Sequence, residues 1–135
     1  MLIFEKTISS SREASRMLIH EAMGFFARIK EKGYARNVSE FSMRLALDEA
    51  LENALRHGNN YDHSKAIYFR MKGYKSKVNV TIKDQGKGFC PDRVADPLHC
   101  NNRYAPNGRG LLLLTNIGDV SWNNEGNCVF IELSR

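Results

Sequence analysis

The run "LIFEKTI" (residues 2–8) reads as a strand. Ser10 then opens an S-x-x-E capping box with Glu13. Ala14, Met17, Leu18, Phe25 and Ile29 follow at helical spacing until Gly33 offers a stop. Asn37 and Glu40 repeat the capping logic for a second helix that runs to about His57. "KAIYFRMK" and "KVNVTIKD" predict two strands joined through Gly73 as a hairpin. Residues 86–107 show no period and hold all three prolines. "GRGLLLLTNIG" predicts a helix that opens on glycine and closes at Gly118. "DVSW" and "NCVFIELS" form a further hairpin around "NNEGN". The order β-α-α-β-β-loop-α-β-β predicts an α+β fold. It would be a two-layer sandwich with about three helices on one face of a mixed, mostly antiparallel sheet. No repeat or linker divides the 135 residues, so the expectation is one domain over 1–135.

In the second helix the polar positions raise a question. At roughly 100° per residue, Glu49 and Asn53 fall about 40° apart and one turn apart in height. Glu52, Arg56 and His57 share that arc, while Met43, Leu47, Leu51 and Ala54 lie opposite and must face the core. Taken alone, such a polar face can simply be solvated.

Composition narrows the classes. Hydrophobic residues make up 42% and charged residues 26%, ordinary values for a globular protein. The apolar start is too short for a signal-peptide core or a membrane span, so the expected location is the cytoplasm, with no membrane contact. Cys90, Cys100 and Cys128 are odd in number and lack C-x-x-C spacing, which argues for reduced thiols. The histidines and Cys100 show no zinc-ligand spacing. The net charge of +5 is spread along the chain, without a nucleic-acid motif, and direct nucleic-acid binding is not expected. A solvated sheet edge explains the lysines of "YFRMKGYKSKVNVTIKD" (residues 68–84) at least as well as phosphate binding does.

Two further stretches change how the second helix reads. "IKDQGKGF" puts Asp84 at a strand end, followed by Gly86 and Gly88, and "NGRGLLLL" puts Gly108 and Gly110 at a helix start. Each is weak alone, because glycines mostly mark turns. Together with Glu49 and Asn53 they supply what a nucleotide needs. Asp84 can accept from the amino group of adenine. Glycines admit the base and sugar close to the backbone. The helix at Gly110 offers N–H groups and a positive dipole end to phosphates. Asn53 brings an amide oxygen suited to Mg²⁺, and Glu49 is placed to take a proton. No Walker or Rossmann pattern is present.

These stretches resemble the nucleotide-binding boxes of the GHKL (histidine-kinase-like, Bergerat) ATPase superfamily. "DEALENALRHG" is similar to its N box, "DQGKGF" to its first glycine box and "NGRGLLLL" to its second. Nearly the whole chain resembles the small anti-sigma-factor serine kinases of bacterial partner-switching systems. The resemblance implies Glu49 as the catalytic carboxylate and Asn53 as the magnesium-binding residue. It implies Asp84, Gly86 and Gly88 at adenine, and Gly108, Arg109, Gly110 and Leu111 near the phosphates. Residues 91–107 would form a lid. It further implies ATP/ADP and Mg²⁺ as cofactors, a sigma factor and a STAS-domain anti-anti-sigma antagonist as partners, and a homodimer.

The family's terminal-phosphate arginine has no plain counterpart. Arg103 or Arg109 would serve, and Arg109 reads equally as a surface residue. A nucleotide-binding partner-switch module, or an ATPase without protein kinase activity, is the alternative. Glu52 reads as solvated or salt-bridged, and His57 as capping the helix or packing beneath the lid. Trp122 reads as core or interface.

Overall fold

A computed structural model describes residues 1–86 and 116–134. Strand β1 (Leu2–Ser9) leads into helix α1 (Arg12–Glu31), helix α2 (Glu40–Asn53) and a π-helical turn (Ala54–Gly58). Strands β2 (Ala66–Gly73), β3 (Val78–Lys83), β4 (Asp119–Trp122) and β5 (Cys128–Leu133) follow. They form one five-stranded sheet in the order β1-β2-β3-β5-β4. Every neighbouring pair is antiparallel, in keeping with the mostly antiparallel sheet expected. Both hairpins stand as the sequence predicts, β2 with β3 and β4 with β5. The third helix falls almost wholly outside the described residues.

Strict alternation puts one face of the sheet inward. In β2, Ile67, Phe69 and Met71 are buried, and in β3, Val78, Val80 and Ile82. From α1, Leu18, Ala22, Phe26 and Ile29 pack onto this face, and α2 adds Met43, Leu47 and Leu51. Each fully buried aliphatic or aromatic side chain contributes ~1.5–3 kcal/mol. Phe4 sits edge-on to both Phe25 and Phe69, tying β1 to the helix layer and to β2. Lys6 on β1 pairs with Glu21 on α1 at 2.6 Å. Trp122 packs against the core from β4. Cys128 is buried, and burial pushes its thiol up, away from the reactive thiolate.

Helix boundaries depart from the capping reading by one or two residues. Ser11, not Ser10, caps α1, accepting the Ala14 N–H at 3.1 Å. Ser39, not Asn37, caps α2, accepting the Ser42 N–H at 3.0 Å. Ser10 is fully buried, its hydroxyl bonded to Asn59, and so is turned away from the helix end. Val38 is fully buried with its N–H on the Ala35 carbonyl, so the chain is still turning at Asn37. Met17, expected on the apolar stripe, is 58% exposed. Among the described residues no helix is long and apolar enough to cross a membrane.

Candidate functional site

The helix that carries Glu49 and Asn53 buries the arc expected of it. Met43, Leu47, Leu51 and Ala54 are all inside, joined by Ala46, Ala50 and Leu55. That anchoring turns Glu49, Glu52 and Asn53 outward, each half-buried. Glu49 and Glu52 line a groove of about 460 Å³ between the two helices, with Asp48 beside them. Arg12, Ser15 and Arg16 of α1 form the opposite wall. Burial raises the Glu49 pKa above the ordinary glutamate value, and the neighbouring charges of Asp48 and Glu52 raise it further. A carboxylate poised in this way accepts a proton more readily than a solvated one.

Glu52, which its sequence context presents as solvated or salt-bridged, is half-buried beside a phenol. Its carboxylate accepts a hydrogen bond from the Tyr61 hydroxyl at 2.7 Å. Arg12 donates to the same hydroxyl at 3.2 Å and stands over the Tyr61 ring, 5.2 Å from its centroid. Tyr61 has φ 55°, a left-handed conformation uncommon for a bulky residue. Its backbone N–H reaches Leu55 O at 2.8 Å. Tyr61 thus latches the start of α1 to the polar face of α2.

Directly after Asn53 the helix widens. The Asn59 N–H bonds to the Ala54 carbonyl at 2.8 Å, a five-residue spacing that defines the π turn. Such turns are rare and recur at functional sites. His57 is half-buried within it. The turn brings Gly58 against the end of β3. A methyl group on Gly58 would lie 2.3 Å from the Asp84 carboxylate, so only glycine allows this approach. Gly86 meets the same constraint, because a Cβ there would lie 2.0 Å from the Gly58 carbonyl oxygen. The Gly86 N–H donates to Asp84 Oδ1 at 2.8 Å, closing a tight turn around the carboxylate.

The structure therefore joins Asp84 and Gly86 to the end of the Glu49–Asn53 helix through Gly58. Gly88, Gly108, Arg109, Gly110 and Leu111 lie outside the described residues, as do Arg103 and residues 91–107. For Mg²⁺ the donor set on α2 is chemically apt, with the Asn53 amide oxygen one turn from a carboxylate. This cation takes the rest of its shell from water and phosphate oxygens.

Sequence reasoning passed over Asn59 and Tyr61. Asn59 is fully buried and makes three side-chain hydrogen bonds. In "HGNN" it reads as turn punctuation, and nothing in a single sequence separates it from Asn60.

Comparison with known proteins agrees with this geometry. A family model described as a histidine kinase-like ATPase domain matches residues 11–133. The chain is also 29% identical, over 76 residues, to the serine/threonine-protein kinase BtrW of Bordetella bronchiseptica. That match covers 55% of this chain and spans about half, 54%, of the relative's length. With a family model covering nearly all of its length, and with a sandwich that sets Gly58 against Asp84, the chain belongs to the histidine kinase-like ATPase domains, a nucleotide-binding family.

Proposed function

We propose that the protein is a Mg-ATP-dependent serine kinase of a partner-switching system, which phosphorylates a STAS-type antagonist and sequesters a sigma factor. The observation that carries this reading is Glu49. It is a carboxylate of raised pKa, in a groove that a protein side chain can enter, one turn from Asn53 on a histidine kinase-like ATPase fold. The matched stretch of a serine/threonine-protein kinase supports the choice of acceptor.

In this reading Asp84 accepts from the adenine amino group and selects the base. Asn53 would hold Mg²⁺ through its amide oxygen, and that cation would supply positive charge against the phosphates. Glu49 takes the proton of the acceptor serine hydroxyl as that oxygen bonds to the γ-phosphorus. The bond from that phosphorus to the β,γ-bridging oxygen breaks, and ADP leaves. Arg12 and Arg16, facing Glu49 across the groove, contribute positive potential where negative charge gathers. The chain works as a homodimer in the cytoplasm.

The test is to incubate the protein with Mg-ATP and a serine-bearing STAS-domain partner, and to look for a phosphoserine by mass spectrometry. Phosphate on the partner, lost with Glu49→Gln, is the expected result. A second reading has support in the half-exposed position of Glu49, which water reaches as readily as a serine. ADP formation with no phosphoprotein would favour that reading, an ATPase or a nucleotide-held partner switch.

A further inference from the structure

Asn59 is 0% exposed, immediately past the π turn, and its amide is spoken for on both sides. Nδ2 donates to the Ser10 hydroxyl oxygen and to the Ala66 carbonyl, the latter at 2.9 Å. Oδ1 accepts the Gln85 N–H at 2.7 Å. The orientation of this amide is fixed by its partners, since Gln85 N–H can only donate and Ala66 C=O can only accept. Gln85 closes the circuit, its Oε1 accepting the Ala66 N–H at 2.7 Å.

This node borders Asp84. Three successive amides run through that corner, and each has a partner. The Asp84 N–H donates to the Asn127 carbonyl at 2.9 Å. The Gln85 N–H goes to Asn59, and the Gly86 N–H goes to the Asp84 carboxylate itself. The first of these bonds ties the corner to the residue before β5, and the last is local. Of the three, the middle bond ties it to the segment that carries Glu49 and Asn53, beside the close packing of Gly58 on Asp84 and Gly86. A peptide plane held at Gln85 sets the ψ of Asp84, and hence the direction its side chain leaves the backbone.

We propose that Asn59 is a positioning residue for base recognition: by holding the Gln85 amide it aims the Asp84 carboxylate at the nucleobase. This role rests on the nucleotide-binding reading above. It also makes Asn59 a hydrogen-bonded link, beside the Gly58 packing contact, between the end of α2 and the base-reading corner. A purely structural asparagine would affect folding and leave base preference alone.

The experiment compares ATP and GTP affinities, with Mg²⁺, for the full chain and its variants. GTP carries a carbonyl where ATP carries the amino group, so the affinity ratio reports on Asp84. Wild type should prefer ATP. Asn59→Ala should weaken ATP about tenfold, as losing a buried hydrogen bond does, and leave GTP near its starting value. Asn59→Asp keeps an oxygen for the Gln85 N–H and loses the two donors. It should melt earlier yet hold most of the ATP/GTP ratio. Should either variant fail to fold, Ser10→Ala decides, because it removes one of the two acceptors that hold Nδ2 and should lower the ratio by a smaller factor.

A folded Asn59→Ala with the wild-type ratio overturns the role, as does Asn59→Asp losing the ratio as fully as the alanine variant. An unchanged ratio in Ser10→Ala, where it has to decide, does the same. Wild type binding neither nucleotide overturns the functional reading and this role together. Wild type selecting ATP while Asn59→Ala selects it equally overturns this role only.

Discussion

The groove at Glu49 and the corner at Asp84 lie at the two ends of one short segment, residues 49–59, and they are built on opposite principles. In the groove three carboxylates, Asp48, Glu49 and Glu52, share one helix face, and burial first, then the repulsion of its two neighbours, raises the Glu49 pKa. The fixed contacts around it are a phenol on Glu52, an arginine on that phenol and Arg44 on Asp48. In the corner a buried asparagine, three partnered amides and two glycines without room for a methyl group hold a single carboxylate. A proton acceptor works through the free energy of its charge, which crowding by like charges adjusts, and it must stay accessible. A base-reading group works through direction, which only hydrogen bonds and close packing fix. On the proposed function, the difference between the two regions is the difference between those two tasks.

The comparison breaks hardest at Glu49. Glu49→Gln keeps shape and removes the base, so phosphoryl transfer should fall by ~10²–10⁴ while ATP affinity stays within a few-fold. A transfer assay and a binding isotherm on the same preparation check this. An unchanged transfer rate removes Glu49 from the role.

Next comes the corner. Gly86→Ala sets a methyl group against the Gly58 backbone, and overpacking of this kind costs about 1–3 kcal/mol. Both melting temperature and ATP affinity should drop, the reverse of the Glu49→Gln pattern. A variant that binds ATP normally would show the corner to be adaptable.

Tyr61→Phe sharpens the contrast from the groove side. It removes the hydroxyl that Glu52 and Arg12 share, for a stability loss of about 0.5–1.5 kcal/mol in denaturant unfolding. Nucleotide affinity should not move, because the latch touches only the groove.

The smallest effect is electrostatic. Glu49 has a folded-state pKa above its unfolded value, so the folded chain holds that proton more tightly. Its contribution to stability is fully present below the ordinary glutamate pKa and is lost as pH rises through the raised one. Glu49→Gln should therefore melt slightly higher than wild type near neutral pH, by less than ~1 kcal/mol after solvent screening. The difference should vanish near pH 4. A gap that grows on acidification would reverse the sign of the argument.

Much of this was legible in the sequence, and the illegible part has a physical pattern. Alternation in "AIYFRM" and the apolar arc of Met43, Leu47 and Leu51 gave the hairpins and the buried helix face, because burial follows period. Helix starts slipped because three adjacent serines, Ser9 to Ser11, can each cap, and a long-range partner decides among them. The π turn after Asn53 was hidden for the same reason. Its residues, "ALRHG", show no local signal for it, and the widening goes with the long-range contact of Gly58 with Asp84. Asn59 and Tyr61 escaped because their importance comes from residues 26 and 49 positions away. Glu49, Asn53 and Asp84 stood out only in combination, because stretches that are weak alone together supply what a nucleotide needs.

The most direct test of the account is a calorimetric titration of ATP, with Mg²⁺ and then with EDTA, into wild type and Asn53→Ala. The account predicts binding that depends on Mg²⁺ and that Asn53→Ala loses. Absence of binding by wild type under both conditions would contradict it, as would binding that neither EDTA nor the substitution alters.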